Sequence, residues 1–358
     1  MCCKINTPDV SLQKPDKPYL VEKKRHTLGR RKWPNKCWYF PLGENLINQH
    51  TIAAPVSVSG IGLHTGVKVS LRLCPAPANT GILFRRTDLE GFTIEAQSRN
   101  VARVSYATSL MKKGVLISTT EHLLSALAGR DVDNVLVEID NLELPILDGS
   151  ARPFVELITK AGIRRQRARR SFIRILKPVE VVDGMRRIAV YPADVFRVTY
   201  RIAFPHPSIG IQSIEFASGS SNYATEIAPA RTFGFLEELE MLRKNGLIRG
   251  GSLENAVVLD RKGVINPEGL RFPDEFCRHK LLDLIGDFSL LGHPLIGHVV
   301  AERAGHAMHA QLVSRLLREK NSWKLVSSPE VAAKAIPQPA PVLATSGSRE
   351  LITVVNSE

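Results

Sequence analysis

Asp274-Glu275-Phe276-Cys277-Arg278-His279-Lys280-Leu281-Leu282-Asp283-Leu284-Ile285-Gly286-Asp287 is the stretch from which the fold of this chain is most readily read. Leu281, Leu282, Leu284, Ile285 and Phe288 supply an apolar face at helical spacing, and Pro273 stands where a helix can begin. His279, Asp283 and Asp287 recur every four residues and therefore form one stripe along that helix. Two carboxylates and an imidazole are costly to bury unless something compensates them, and a divalent metal does so. The same spacing also suits an intrahelical hydrogen bond. The remaining ligands must therefore be sought elsewhere in the chain.

Upstream, Thr119-Thr120-Glu121-His122-Leu123-Leu124-Ser125-Ala126-Leu127-Ala128-Gly129 reads as a short helix, capped by Thr119 or Thr120 and ended by Gly129. Adjacent helical residues point about 100° apart. Glu121 and His122 can then face one cleft, the imidazole toward a metal and the carboxylate toward a water proton. Pro153–Ala161, Phe235–Asn245, Arg271–Leu291 and Gly305–Arg318 have helical periodicity. Runs of β type are Thr51–Val58, Val67–Leu73, Gly81–Arg86, Phe92–Glu95, Asn134–Ile139, Phe172–Val182, Arg187–Tyr191, Arg197–Phe204 and Ile211–Phe216. Strands followed by helices occur twice, which predicts an α+β protein of two similar units, not a doubly wound parallel sheet. The expected boundaries are 48–165 and 166–322, joined near the Arg164–Arg170 run, whose like charges read as a linker.

A net charge of +13 over 358 residues raises a nucleic-acid or membrane-surface reading, with the His/Asp stripe then merely structural. The location of the charge argues against it. Residues 1–47 carry ten Lys/Arg and four Asp/Glu, and Arg164, Arg165, Arg167, Arg169, Arg170 and Arg174 form a second cluster. The excess thus lies in an extension expected to be disordered and in a linker, and a basic protein equally attracts an anionic sugar nucleotide. Residues 323–358, with the Pro/Ala-rich stretch Ala335–Pro341, read as a flexible tail. Five irregularly spaced cysteines form no zinc-knuckle pattern and fit a reducing, cytoplasmic compartment. No apolar run is long enough to span a bilayer. The serine-hydrolase elbow, the phosphate-binding loop and the dinucleotide fingerprint are all absent.

Other residues add to the stripe. His306 follows Gly305 at a helix start with His309 one turn on, His64 sits in the glycine turn Gly62–Gly66, and Thr232 adjoins Phe233. Taken together, Val58-Ser59-Gly60-Ile61-Gly62-Leu63-His64-Thr65-Gly66, Thr120-Glu121-His122-Leu123, Leu147-Asp148-Gly149-Ser150, Ala230-Arg231-Thr232-Phe233-Gly234-Phe235, the opening helix and Gly305-His306-Ala307 come in a specific order. In that order the chain resembles the UDP-3-O-acyl-N-acetylglucosamine deacetylases of lipid A biosynthesis, from about Thr51 to Leu317.

The resemblance implies a β-α-α-β sandwich, with the helices of both domains held between two sheets, and a small β-α-β insert at residues 234–251. It implies one zinc on His122, His279 and Asp283, although iron(II) suits such a ligand set as well. Glu121 is then the general base, with Thr232 and the metal stabilising the oxyanion. His306 is the cationic partner, Asp287 its orienting carboxylate, and Lys280 a group that positions the anionic substrate. His64 and Phe233 would meet the substrate, and Leu236, Leu239, Met241 and Ile248 would line an acyl passage. The implied substrate is an acylated UDP-sugar, and the implied products are acetate and the free 2-amino sugar. The implied protein is a cytoplasmic monomer with no nucleic-acid partner and at most transient contact with a membrane surface. Glu121 and His306 together argue against a metal-binding homologue that has lost catalysis. Two features depart from the family. His309 stands where asparagine is frequent, and the basic extension lies outside the family core.

Overall fold

The computed structural model describes residues 48–327, so the basic extension 1–47 and residues 328–358 of the expected tail lie outside the described residues. The described residues form six α-helices: α1 (Glu121–Gly129), α2 (Arg152–Ala161), α3 (Tyr223–Glu226), α4 (Leu236–Lys244), α5 (Glu275–Phe288) and α6 (His306–Arg318), of which all but the single-turn α3 follow the periodicity of the sequence. They accompany five sheets, and the fold is mixed α and β. A five-stranded sheet runs Val56–Ile61, Lys68–Pro75, Val135–Ile139, Ile82–Arg86, Phe92–Glu95 in spatial order, antiparallel except for the central Val135–Ile139 and Ile82–Arg86 pair. The three-stranded sheet Val101–Arg103, Ser109–Lys112 and Val115–Ile117 leads into α1.

The seven-stranded sheet is built around Leu295–Glu302, which pairs with Arg186–Tyr191, Phe196–Ala203 and Ser171–Ile175. This central strand was not among the expected β runs. Leu295-Ile296-Gly297-His298-Val299-Val300-Ala301-Glu302 is buried on both faces, so it lacks the alternation that marks a half-exposed strand. Proline explains two other differences. Pro55 and Pro178 each divide an expected single run, giving Asn48–Ile52 and Val56–Ile61, then Ser171–Ile175 and Val179–Asp183.

The arginine-rich run is not a linker. Ile163–Arg169 pairs antiparallel with Asn48–Ile52, so the expected boundary at residues 165 and 166 falls inside a strand. Its arginines reach solvent from a two-stranded ribbon, and Arg170 is buried because Asp131 and Asp133 each meet its guanidinium at 2.6 Å. Trp323–Ser327, expected in the tail, is a strand on the edge of the seven-stranded sheet, paired with Ser171–Ile175. The expected cap at α1 also differs. Thr120 makes no side-chain bond to the helix end and donates instead to the Thr108 carbonyl at 3.0 Å.

The core positions the site through α5. Phe276, Leu281, Leu282 and Leu284 are fully buried, and Gly286 lies against α1. A β-carbon at Gly286 would overlap the Glu121 carbonyl oxygen, so the absence of a side chain lets the two helices touch there. That contact brings residues far apart in sequence to one place.

Candidate active site

His122 on α1 and His279 and Asp283 on α5 converge at this crossing, their ligand atoms all within 4.8 Å of one another and their side chains buried. His279 Nδ1 donates to the Ala230 carbonyl at 3.1 Å, which leaves Nε2 as the lone-pair nitrogen facing the cluster. Asp283 Oδ1 lies 3.3 Å from His279 Nε2 and 3.8 Å from His122 Nε2, yet it has no hydrogen-bond partner. A buried carboxylate oxygen left without a partner is costly. A divalent cation among these three atoms supplies what is missing, so the donor set fits a metal.

A second group, Asp287, His306 and His309, is equally close-set but differs in kind. Both imidazoles bring Nδ1 to Asp287 Oδ2 at 2.8 Å, ordinary hydrogen-bond lengths that leave no orphaned acceptor between them. Thr108 completes it by donating its hydroxyl to Asp287 Oδ1 at 2.6 Å. The first group is therefore the better fit to a metal, and the second is a hydrogen-bonded cluster with its acceptors already satisfied.

The electrostatics separate the roles further. Burial raises the Glu121 carboxyl to about 7, opposed by His306 and reinforced by Asp283 and Asp287. Its Oε2 accepts the Thr108 backbone N–H at 2.9 Å. Burial disfavours the His306 cation, but the carboxylates of Asp287 and Asp283 outweigh it and raise the imidazole to about 9. Burial alone would raise Asp287, but His306 and His309 hold it at about 2. Burial and the neighbouring His279 push His122 down to about 3, keeping it neutral, as a metal ligand must be. One carboxyl near neutrality beside a cationic imidazole is a base and acid pair.

A cavity of about 330 Å³ opens over these groups, lined by Glu121, His122, Thr232, Phe233, His279, Lys280, Asp283 and His306 among others. Lys280 donates to Asp283 Oδ2 at 2.9 Å and holds its ammonium 5.7 Å from the Phe233 ring centre. Phe233 is anchored edge-on against Phe276 at 5.0 Å and against Phe204 at 5.9 Å. The remaining expected residues lie elsewhere. His64, Leu236, Leu239, Met241 and Ile248 are not among the lining residues, whereas Leu63, Tyr106, Ile146 and Met308 are. The expected insert is present as a strand Phe233–Phe235, α4 and the parallel strand Val257–Leu259, and so extends beyond residue 251. Leu236 and Met241 are exposed on α4, and Ile248 is buried below it.

A sequence profile of the UDP-3-O-acyl N-acetylglycosamine deacetylase family matches residues 49–318. The chain belongs to that family. It is 55% identical over 284 residues to a UDP-3-O-acyl-N-acetylglucosamine deacetylase of Solibacter usitatus (strain Ellin6076), covering 79% of this chain and 96% of the relative. Similar proteins of the same name from Syntrophotalea carbinolica (strain DSM 2380 / NBRC 103641 / GraBd1) and Myxococcus xanthus (strain DK1622) are each 48% identical. They align over 289 and 280 residues, which is 80% and 78% of this chain and 94% and 89% of the relatives.

Several residues that hold this deacetylase-family site together were not singled out from the sequence. Thr108 touches both Glu121 and Asp287 from the loop just before the strand Ser109–Lys112, where nothing in the local sequence marks it. Glu143 receives the backbone N–H groups of His64 and Thr65 at 2.9 and 2.8 Å and the Thr119 hydroxyl at 3.0 Å, tying the glycine turn to the start of α1. Arg231, 2% exposed, is locked to the fully buried Glu275, fixing the backbone between Ala230 and Thr232. Arg231 and Glu275 stand within motifs already quoted, and their opposite charge was the one available signal. Among the described residues no helix is long and apolar enough to cross a membrane.

Proposed function

We propose that this chain hydrolyses the acetamide of UDP-3-O-[(3R)-3-hydroxyacyl]-N-acetylglucosamine to acetate and the free 2-amino sugar, the deacetylation step of lipid A biosynthesis. The observation that carries the reading is the orphaned Asp283 Oδ1 between two imidazole nitrogens, one residue of α1 away from a carboxyl poised near 7. His122, His279 and Asp283 would hold one zinc, and iron(II) suits the same donors. When bound, the metal supplies Lewis acidity toward a carbonyl and toward water.

The protein's own groups carry the proton movements. Glu121 takes a proton from the attacking water, and a carboxyl near 7 is matched to that work at neutral pH. Thr232 donates its hydroxyl to the oxyanion as it develops. His306, kept cationic by Asp287, delivers a proton to the departing nitrogen. Lys280 attracts the anionic substrate and steadies Asp283. Phe233 packs against the sugar nucleotide. Beyond the cavity that the catalytic groups line, the family resemblance further puts His64 on the substrate path and Leu236, Leu239, Met241 and Ile248 against the acyl chain.

The supporting architecture is a pair of α+β halves that meet after the strand Ile163–Arg169, the second running through the strand Trp323–Ser327, with α1, α2, α5 and α6 sandwiched between the sheets. The contact of α1 with α5 at Gly286 supports that arrangement, since one half then supplies Glu121 and His122 and the other His279 and Asp283. The protein acts as a cytoplasmic monomer. The test is bound metal and acetate release for wild type, His279→Ala and Glu121→Ala. His279→Ala should lose both metal and activity, whereas Glu121→Ala should keep metal and lose turnover. Full activity in metal-free His279→Ala would end the proposal.

A further inference from the structure

His309 is fully buried one turn into α6, and nothing in the chemistry above uses it. Its ring is nevertheless held at both nitrogens. Nδ1 lies 2.8 Å from Asp287 Oδ2, the oxygen that His306 also contacts at 2.8 Å. Nε2 lies 3.1 Å from the Tyr200 hydroxyl, which is itself 3.0 Å from the Ala304 carbonyl. An ionised carboxylate only accepts hydrogen bonds, so His309 must carry a proton on Nδ1. The ring edge packs against Phe288 and Tyr200, with centroids 6.5 and 6.0 Å away, which limits its rotation.

The reason such a grip matters lies in the carboxylate. The terminal torsion of an aspartate is broad, so hydrogen bonds must orient it. Thr108 does not suffice, because its hydroxyl donates only to Asp287 Oδ1, at 2.6 Å, while its oxygen lies 3.2 Å from His306 Nδ1 and is a rival acceptor for the His306 proton. Without a second donor on Oδ2, the His306 Nδ1–H can turn to the Thr108 hydroxyl oxygen as acceptor while Asp287 rotates away. His306 then loses the bond that aims its Nε2 toward the cavity.

We propose that His309 is a positioning residue for deacetylation, which in its Nδ1–H tautomer pins Asp287 Oδ2 so that His306 stays aimed at the departing nitrogen. The proposal rests on the deacetylase reading given above. Asparagine at 309 places an amide donor where the imidazole Nδ1 stands, whereas leucine fills the volume with no donor.

The tautomer is read first, on the wild-type protein without substrate, by long-range 1H–15N correlation of 15N-histidine. The 309 ring is assigned as the signal missing from His309→Asn. Kinetics with the acylated UDP-sugar then compare wild type, His309→Leu and His309→Asn at equal metal content. The expected result is an Nδ1–H tautomer and a kcat about 10- to 100-fold lower in His309→Leu. KM should stay within about twofold and kcat of His309→Asn within about threefold of wild type. An Nε2–H tautomer at His309 overturns the proposal. So does an unchanged kcat in His309→Leu, or a loss in His309→Asn as large as that in His309→Leu. If His309→Leu does not fold, His309→Gln replaces it under the same criteria, since its amide reaches toward Tyr200 and not Asp287. Wild-type acetate release tests the deacetylase reading separately, so failure of one is not mistaken for failure of the other.

Discussion

Replacing Glu275 by leucine tests whether the buried Arg231–Glu275 pair sets the site's geometry. Glu275 is fully buried and Arg231 is 2% exposed. The carboxylate accepts Arg231 Nε at 2.9 Å, Arg231 N at 3.0 Å and Arg271 N at 2.6 Å. Leucine would strand a buried guanidinium, a change that costs about 3–5 kcal/mol. Arg231 would keep Glu268 at 2.5 Å and the Gly269 carbonyl at 2.7 Å, which offsets part of the loss of two backbone partners. About 4 kcal/mol of destabilisation is therefore expected, lowering Tm by roughly 8 °C or more. Metal binding should weaken too, because the Ala230 carbonyl that orients His279 adjoins Arg231. Loss of such support costs about 10- to 100-fold in affinity. Denaturant titration and competition with a chelator measure the two effects. Glu268→Leu is the control, since Glu268 is half-exposed and solvent screens its pair with Arg231, so its loss should cost much less. If Glu275→Leu costs no more than Glu268→Leu and leaves metal affinity unchanged, the reasoning fails.

Three further outcomes are expected. In the metal-free protein, His306 is raised to about 9, so the stability it contributes is complete below about 6.5 and disappears as pH rises through 9. Asp287, held at about 2, contributes above its usual 3.8 and loses that contribution as pH falls through 2. Urea midpoints of wild type and His306→Gln between pH 6 and 10 should converge toward the alkaline end. Parallel curves would argue against the pairing. Gly286→Ala should cost about 1–3 kcal/mol and reduce kcat by displacing Glu121, because the new methyl overlaps the Glu121 carbonyl oxygen. Thermal melts and kinetics would show it, and a silent substitution would contradict the packing. Chelation should lower Tm, and restoring zinc at about 1,000 times its Kd should return about 4 kcal/mol. A melt indifferent to metal would leave the His122, His279 and Asp283 group without a ligand.

The helices were legible because their apolar residues recur at helical spacing, and α1, α2, α5 and α6 begin and end close to where that spacing predicts. Strands buried on both faces were not. Leu295–Glu302 has no alternation to reveal it, although it stands at the centre of its sheet. The arginine run misled for the opposite reason. Its charge suggested a solvated linker, but a strand needs only a neighbour for its backbone, and residues 48–52 supply one.

The chemistry divides along the same physical line. Residue type and local spacing were enough to nominate Glu121, His122, His279, Asp283, Asp287 and His306, because metal binding and proton transfer demand those side chains. Their partition into a metal group and a supporting group was a matter of distance. Asp287 lies on the same helical stripe as Asp283, yet its oxygens are taken by Thr108, His306 and His309, while Asp283 Oδ1 has no partner. Only tertiary packing decides which buried oxygen is satisfied, since its partners come from a loop and from a second helix, up to 179 residues away. The stripe of His279, Asp283 and Asp287 is therefore one feature in the sequence and two in the folded protein.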